Sequence, residues 1–131
     1  MDTDVKHFPG NLLEAELTEQ ILGAAFKVHN ALGCGFLEKV YENALFVELR
    51  RMNLTAEQQR LYKVHYEGAV VGEYVADLVV EGRVIVECKA LGSLDGSHES
   101  QLLNYLKATG IRVGLLLNFG RPKLQFKRLV A

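Results

Sequence analysis

The chain has 131 residues, a formal net charge of −1 and a composition that is 49% apolar and 24% charged. This length suits one domain with room for a real core, so a single domain over residues 1–131 is expected. The balance excludes a strongly basic chain, and the apolar fraction excludes a disordered one. Cys34 and Cys88 form no CxxC pair, which argues against a cysteine zinc site. No apolar run approaches transmembrane length, and the opening Met1-Asp-Thr-Asp4 lacks the parts of a secretory signal. A cytoplasmic protein with reduced thiols and no membrane partner is the expectation.

Residues 18–32 carry the first helical pattern, with Ile21, Ala25, Val28 and Leu32 at three- and four-residue steps. Gly33-Cys34-Gly35 breaks it. A second helix is expected from Leu37 to Met52, with Tyr41, Ala44, Leu45 and Leu49 inward and Arg50 and Arg51 near its C-terminus. From Leu61 the rhythm becomes that of strands. The first holds Leu61, Val64 and Tyr66. After the link Glu67-Gly68, the second begins at Val70, bends at Gly72 and runs through Val80. The third spans Arg83 to Ala90. A helix from His98 to Thr109, capped by Ser97 and stopped by Gly110, precedes an apolar strand, Val113 to Phe119. Leu124 to Val130 completes the order: helix, helix, three strands, helix, two strands. The helix between the third and fourth strands can make a crossover, so an α/β fold is expected, a mixed β-sheet flanked by α-helices. The basic end, Arg121 to Arg128, suits either a phosphate contact or a lysine-protected sheet edge.

Three charges interrupt the apolar strands: Asp77 on the second, Glu87 and Lys89 on the third. Unpaired buried charge is expensive, so such residues need a reason to be there. Two carboxylates beside a lysine with a buried stem suit metal-assisted hydrolysis of a phosphodiester. They also suit a structural ion pair. Glu38 and Tyr41 share a face of the second helix; Glu38 also suits the helix dipole, and Tyr41 the core. Gln101 and Tyr105 share a face of the third.

Gly35-Phe-Leu-Glu38-Lys-Val-Tyr41, Asp77, Glu87-Cys88-Lys89 and Gln101-Leu-Leu-Asn-Tyr105 occur in an order that resembles the GxxExxY family of the PD-(D/E)xK nuclease superfamily. The resemblance runs over residues 12–130, with Ala76 where the superfamily's name has proline. It implies a PD-(D/E)xK nuclease-like core and a metal-dependent nuclease, with DNA ahead of RNA as the partner. It implies Asp77, Glu87, Lys89 and Gln101 as catalytic residues. Mg2+ or Mn2+ would be held by Asp77, Glu87, the Cys88 carbonyl and Glu38, with Tyr41 and Tyr105 supporting. A non-catalytic binding module that retains the fold is the alternative. A homodimer is expected from the small body and a duplex cutter's need to reach two strands.

Hairpin parity tests the site. A two-residue Glu81-Gly82 turn would put Asp77 and Glu87 on opposite faces, because successive strand residues alternate. An odd-length loop reverses that. A three-residue loop, Val80-Glu81-Gly82, pairs Val79 with Arg83 and sets Val75, Asp77, Ile85, Glu87 and Lys89 on one face. That loop, or a compensating bulge, is expected.

Overall fold

The computed structural model describes residues 12–131; Met1–Asp4 and His7 lie outside the described residues. All eight expected elements occur in the expected order. They are α1 (Ala15–Leu32), α2 (Glu38–Arg51), β1 (Ala56–Tyr66), β2 (Ala69–Val80), β3 (Val84–Lys89), α3 (Gly96–Thr109), β4 (Val113–Asn118) and β5 (Gln125–Val130). The sheet is mixed, in the order β1-β2-β3-β4-β5, and only the β3–β4 pair is parallel. A parallel pair needs a long crossover, and α3 supplies it.

Two apolar layers sandwich the sheet. Ile21, Leu22 and Ala25 of α1 and Tyr41, Leu45 and Leu49 of α2 pack with Leu78, Val80, Val84, Val86 and Cys88. On the other face, Leu102 and Leu106 of α3 pack with Val79, Ile85 and Leu116. β3 and β4 are covered on both sides, so they read as continuous apolar runs. The Cys88 side chain packs on the α1–α2 face. β5 is an edge strand, and its Lys127 pairs with Glu99 of α3 at 3.8 Å, which fits a charged, protected edge.

Three boundaries differ from expectation. β1 starts at Ala56, five residues before Leu61. Its polar opening, Glu57-Gln58-Gln59, hides the strand pattern. α3 starts at Gly96 with Asp95 as N-cap, not Ser97. The Asp95 carboxylate accepts the Ser97 N–H at 2.8 Å, and His98 Nδ1 accepts the Asp95 N–H at 3.2 Å. Those two bonds satisfy donors that a helix start leaves open, and hydrogen bonds from the Ser97 hydroxyl and then its N–H hold the Asp95 carboxyl below its usual range. Finally, the β2–β3 loop is Glu81-Gly82-Arg83, with Val80 paired to Val84. It is odd-length as expected, but shifted one residue along. Glu81 and Gly82 both have positive φ, 55° and 65°.

β4 ends in a backbone clamp. Buried Asn118 accepts the Leu91 N–H at 2.8 Å and donates to the Leu91 carbonyl at 3.0 Å. This fixes the chain two residues after Lys89. Beside it, Gly120 lies against the same backbone. A Cβ there would sit 2.4 Å from the Leu91 carbonyl oxygen. Gly120→Ala is therefore expected to destabilise the fold by about 2–3 kcal/mol, as overpacking against rigid backbone does. For Gly114→Ala the nearest atoms are in the Leu102 and Leu106 side chains, at 3.1–3.2 Å, so it should cost less. Urea midpoints of the two variants check the ranking.

Candidate active site

The β2–β3 ladder runs from Val80/Val84 to Leu78/Val86 and stops there. One step further, Asp77 and Glu87 face each other across the parting strands. Their side chains take over the backbone hydrogen bonds. The Asp77 N–H donates to Glu87 Oε2 at 3.3 Å, and the Cys88 N–H donates to Asp77 Oδ2 at 2.9 Å. Each carboxylate thus satisfies an amide that the separated ladder leaves without a partner.

Side-chain alternation also changes phase here. Val79 and Ile85 pack on the α3 face, yet so do Tyr74 and Ala76. In an unbroken strand, Ala76 and Val79 would point to opposite faces. Val75, expected on the site face, is 44% exposed at the rim, and Tyr74 takes the inner position. The odd-length loop sets the carboxylates on one face, and this local irregularity brings Tyr74 to the same cleft.

The cleft is lined by Glu38, Glu73, Tyr74, Asp77, Glu87, Lys89, His98, Gln101 and Tyr105, among others. Six of the expected site residues therefore meet: Asp77, Glu87, Lys89, Glu38, Gln101 and Tyr105. Tyr41 does not line it. Fully buried, it donates to the Gly33 carbonyl at 2.6 Å and stacks on Phe119, so it braces the turn that leads to Glu38. Cys88 brings only its backbone near the site, and burial pushes its thiol well up, out of range of the reactive thiolate.

Several residues of the site carry little sequence signal. Tyr74 donates to Glu87 Oε1 at 2.5 Å and stacks on Tyr105 with ring centroids 3.7 Å apart. Burial, then Glu87, pushes the Tyr74 phenol up, so it remains a donor. Its spacing three residues before Asp77 is the only hint. Glu42 of α2 is 3% exposed and accepts from Lys39, Gln58 and Gln59. A charge next to Tyr41 on the inward face of an amphipathic helix is the signal that could have found it.

Burial first, and the Asp77 charge second, push Glu87 from an ordinary 4.5 up to about 8. The bonds from Tyr74 and the Asp77 N–H oppose that rise. Two crowded carboxylates with oxygen donors only are a fit for a hard divalent cation, which relieves the repulsion that otherwise holds a proton there. Asp77, Glu87 and the Cys88 carbonyl could supply such ligands. Among the described residues, no group of three or more His, Cys, Asp or Glu side chains is gathered for a metal. Glu38 shares the cleft but stands on its α2 wall.

The chain belongs to the PD-(D/E)XK nuclease superfamily: the superfamily model matches residues 15–129. A solved structure titled "Crystal structure of SSO0001" aligns with a TM-score of 0.55 at 21% identity. The match covers 89% of this chain and 58% of that one, and supports the same fold. No curated protein matches the sequence. Among the described residues, no helix is long and apolar enough to cross a membrane.

The raised Glu87 pKa has a sign that can be checked. The folded state holds the proton more tightly than the unfolded chain. The stabilisation is complete below pH 4.5 and is lost as pH rises through about 8. In chelator, stability should fall across that window by roughly 2–4 kcal/mol, and Glu87→Gln should flatten the decline. Urea denaturation at pH 5 and pH 8.5 measures it; parallel curves for both proteins would contradict the assignment.

Proposed function

We propose that this chain is a metal-dependent nuclease that hydrolyses phosphodiester bonds, and that within its superfamily it falls in the GxxExxY branch. One observation carries the reading. Asp77 and Glu87 meet where β2 and β3 part, and Lys89 enters the same cleft. Lys89 follows Glu87 by two residues on β3, so the strand's own period sends it to that side. Among the described residues its ammonium has no ion-pair partner, which leaves it available to substrate.

Asp77, Glu87 and the Cys88 carbonyl would hold Mg2+ or Mn2+, with Glu38 as a further carboxylate from the α2 wall. Such a cation supplies charge for the phosphate and makes a bound water more acidic. Lys89 orients the attacking water or balances the charge that builds on phosphate oxygens. Gln101 and Tyr105, one helical turn apart on α3, face the phosphate or the water from the opposite wall. Tyr74 fixes Glu87, and Tyr41 fixes the approach to Glu38. DNA is favoured over RNA on superfamily analogy. The cleft, about 300 Å³, is at the small end for a ligand site, so it suits one phosphate and its neighbour. A duplex would need a second cleft, which supports a homodimer. We further propose one domain over residues 1–131, working in the cytoplasm.

A Mg2+ and Mn2+ titration against single-stranded, duplex and branched DNA and RNA tests this reading, with Glu87→Ala as the control. Lys89→Ala should lower turnover at least ~100-fold while leaving the fold intact. Lys89→Arg should not restore it, because a planar guanidinium cannot replace a compact ammonium. Full turnover in Lys89→Ala would remove this lysine from the mechanism. A wild type inert across the panel would turn the reading to a binding module. Light scattering with and without nucleic acid reads the dimer.

A further inference from the structure

We infer that Glu42 and Gln59 are positioning residues that fix the orientation of Asp77. The inference rests on the nuclease reading for its purpose, but not for its geometry. Gln59 Nε2 donates to Glu42 Oε1 at 2.8 Å and lies 3.4 Å from Asp77 Oδ1. An amide between two carboxylates presents its NH2 to both. The other Asp77 oxygen already accepts the Cys88 N–H. Asp77 is thus held at both oxygens, one through β3 and one through Gln59.

The backbone around Gln59 points the same way. Gln58 pairs with Leu78 and Arg60 with Ala76, so Gln59 stands opposite Asp77. In a regular strand, neighbours point to opposite faces. Yet Gln58 and Gln59 both reach the Glu42 carboxylate, at 2.7 and 2.8 Å. A left-handed backbone at Gln59, φ 54°, makes that convergence feasible. A glutamine in this conformation is strained, and such residues persist where the surroundings fix them. The phase change in β2 falls at the facing residue, Asp77. The distortion therefore turns two consecutive amides toward Glu42 and aims one of them at Asp77. Glu42 anchors it from α2, with Lys39 Nζ at 2.9 Å and only 3% exposure.

A merely structural role for Gln59 would show in stability. A positioning role shows at Asp77. Gln59→Gly separates the two, because glycine adopts φ 54° without steric cost but has no amide side chain. Gln59→Asn is the second variant: asparagine tolerates the same backbone, and its amide is one methylene too short to span both carboxylates. The direct readout is hydrogen exchange of the Cys88 amide in metal-free protein, compared with Ile85 on the same strand. The expected result is exchange at Cys88 faster by roughly fivefold, the scale of one lost hydrogen bond, with Ile85 and the urea midpoint little changed. Mn2+ binding by calorimetry should weaken by a similar factor.

Unchanged Cys88 exchange in both variants would overturn the proposal, whatever happens to Mn2+ binding. Equal acceleration at Cys88 and Ile85, with a lowered urea midpoint, would also overturn it, since that pattern reports general loosening. Faster exchange at Cys88 alone in a protein whose wild type binds no Mn2+ would support the positioning role and count against the metal reading.

Discussion

The site depends on a separation of two strands. β2 and β3 are bonded as far as Leu78 and Val86, then diverge, and the peptide groups beyond that point need other partners. The carboxylates of Asp77 and Glu87 provide them. One pair of interactions thus closes the hydrogen-bond accounting of the sheet and places two like charges side by side. The electrostatic character of the cleft follows. Burial beside Asp77 raises the Glu87 pKa, and the Tyr74 hydroxyl fixes the Glu87 carboxyl by a hydrogen bond. The lysine that follows is delivered by the strand's own two-residue period.

The rest of the fold serves that separation from both faces. On one, α3 stacks Tyr105 on Tyr74, the residue that donates to Glu87. On the other, α2 places Glu38 at the cleft and Glu42 behind it, while Tyr41 braces the turn before them. At the rear, Asn118 holds the chain just past Lys89. The large apolar layers give these polar contacts a rigid frame. Val84, Val86, Leu115 and Leu117 sit in one layer, and Ile85 and Leu116 in the other.

Much of this was legible in the sequence. The eight elements follow from apolar periodicity and from glycine breaks such as Gly33-Cys34-Gly35 and Gly110. Asp77, Glu87 and Lys89 stood out because charge inside apolar strands demands a reason. Parity required an odd loop, and an odd loop is present. Its placement was not legible, since Glu-Gly-Arg and Val-Glu-Gly both set Gly82 in the left-handed region with the same facing result. The start of β1 was hidden because Glu57 pairs with Arg60 at the surface and Gln58 and Gln59 answer to a buried carboxylate instead of an apolar layer. The left-handed backbone at Gln59 had no local signal at all: glutamine has no preference for it, and only the partners on α2 and β2 explain it. Tyr74 carries no mark in the sequence that sets it apart from other strand aromatics; its hydroxyl bond to Glu87 is a product of the fold.

The far end of the β1–β2 hairpin has a different kind of freedom. Tyr66, Val70 and Val71 are exposed there, and the turn is only Glu67-Gly68, both at positive φ. The register shifts by one residue between Val64 and His65, so pairing at the tip is offset from pairing near Asp77. A chain that already absorbs one extra residue between tip and cleft can gain or lose others at the tip without moving Asp77. The hairpin end is thus open to evolutionary change. A change of length or side chain at the tip alters what the protein touches there, while the pair of carboxylates keeps its geometry from its own contacts.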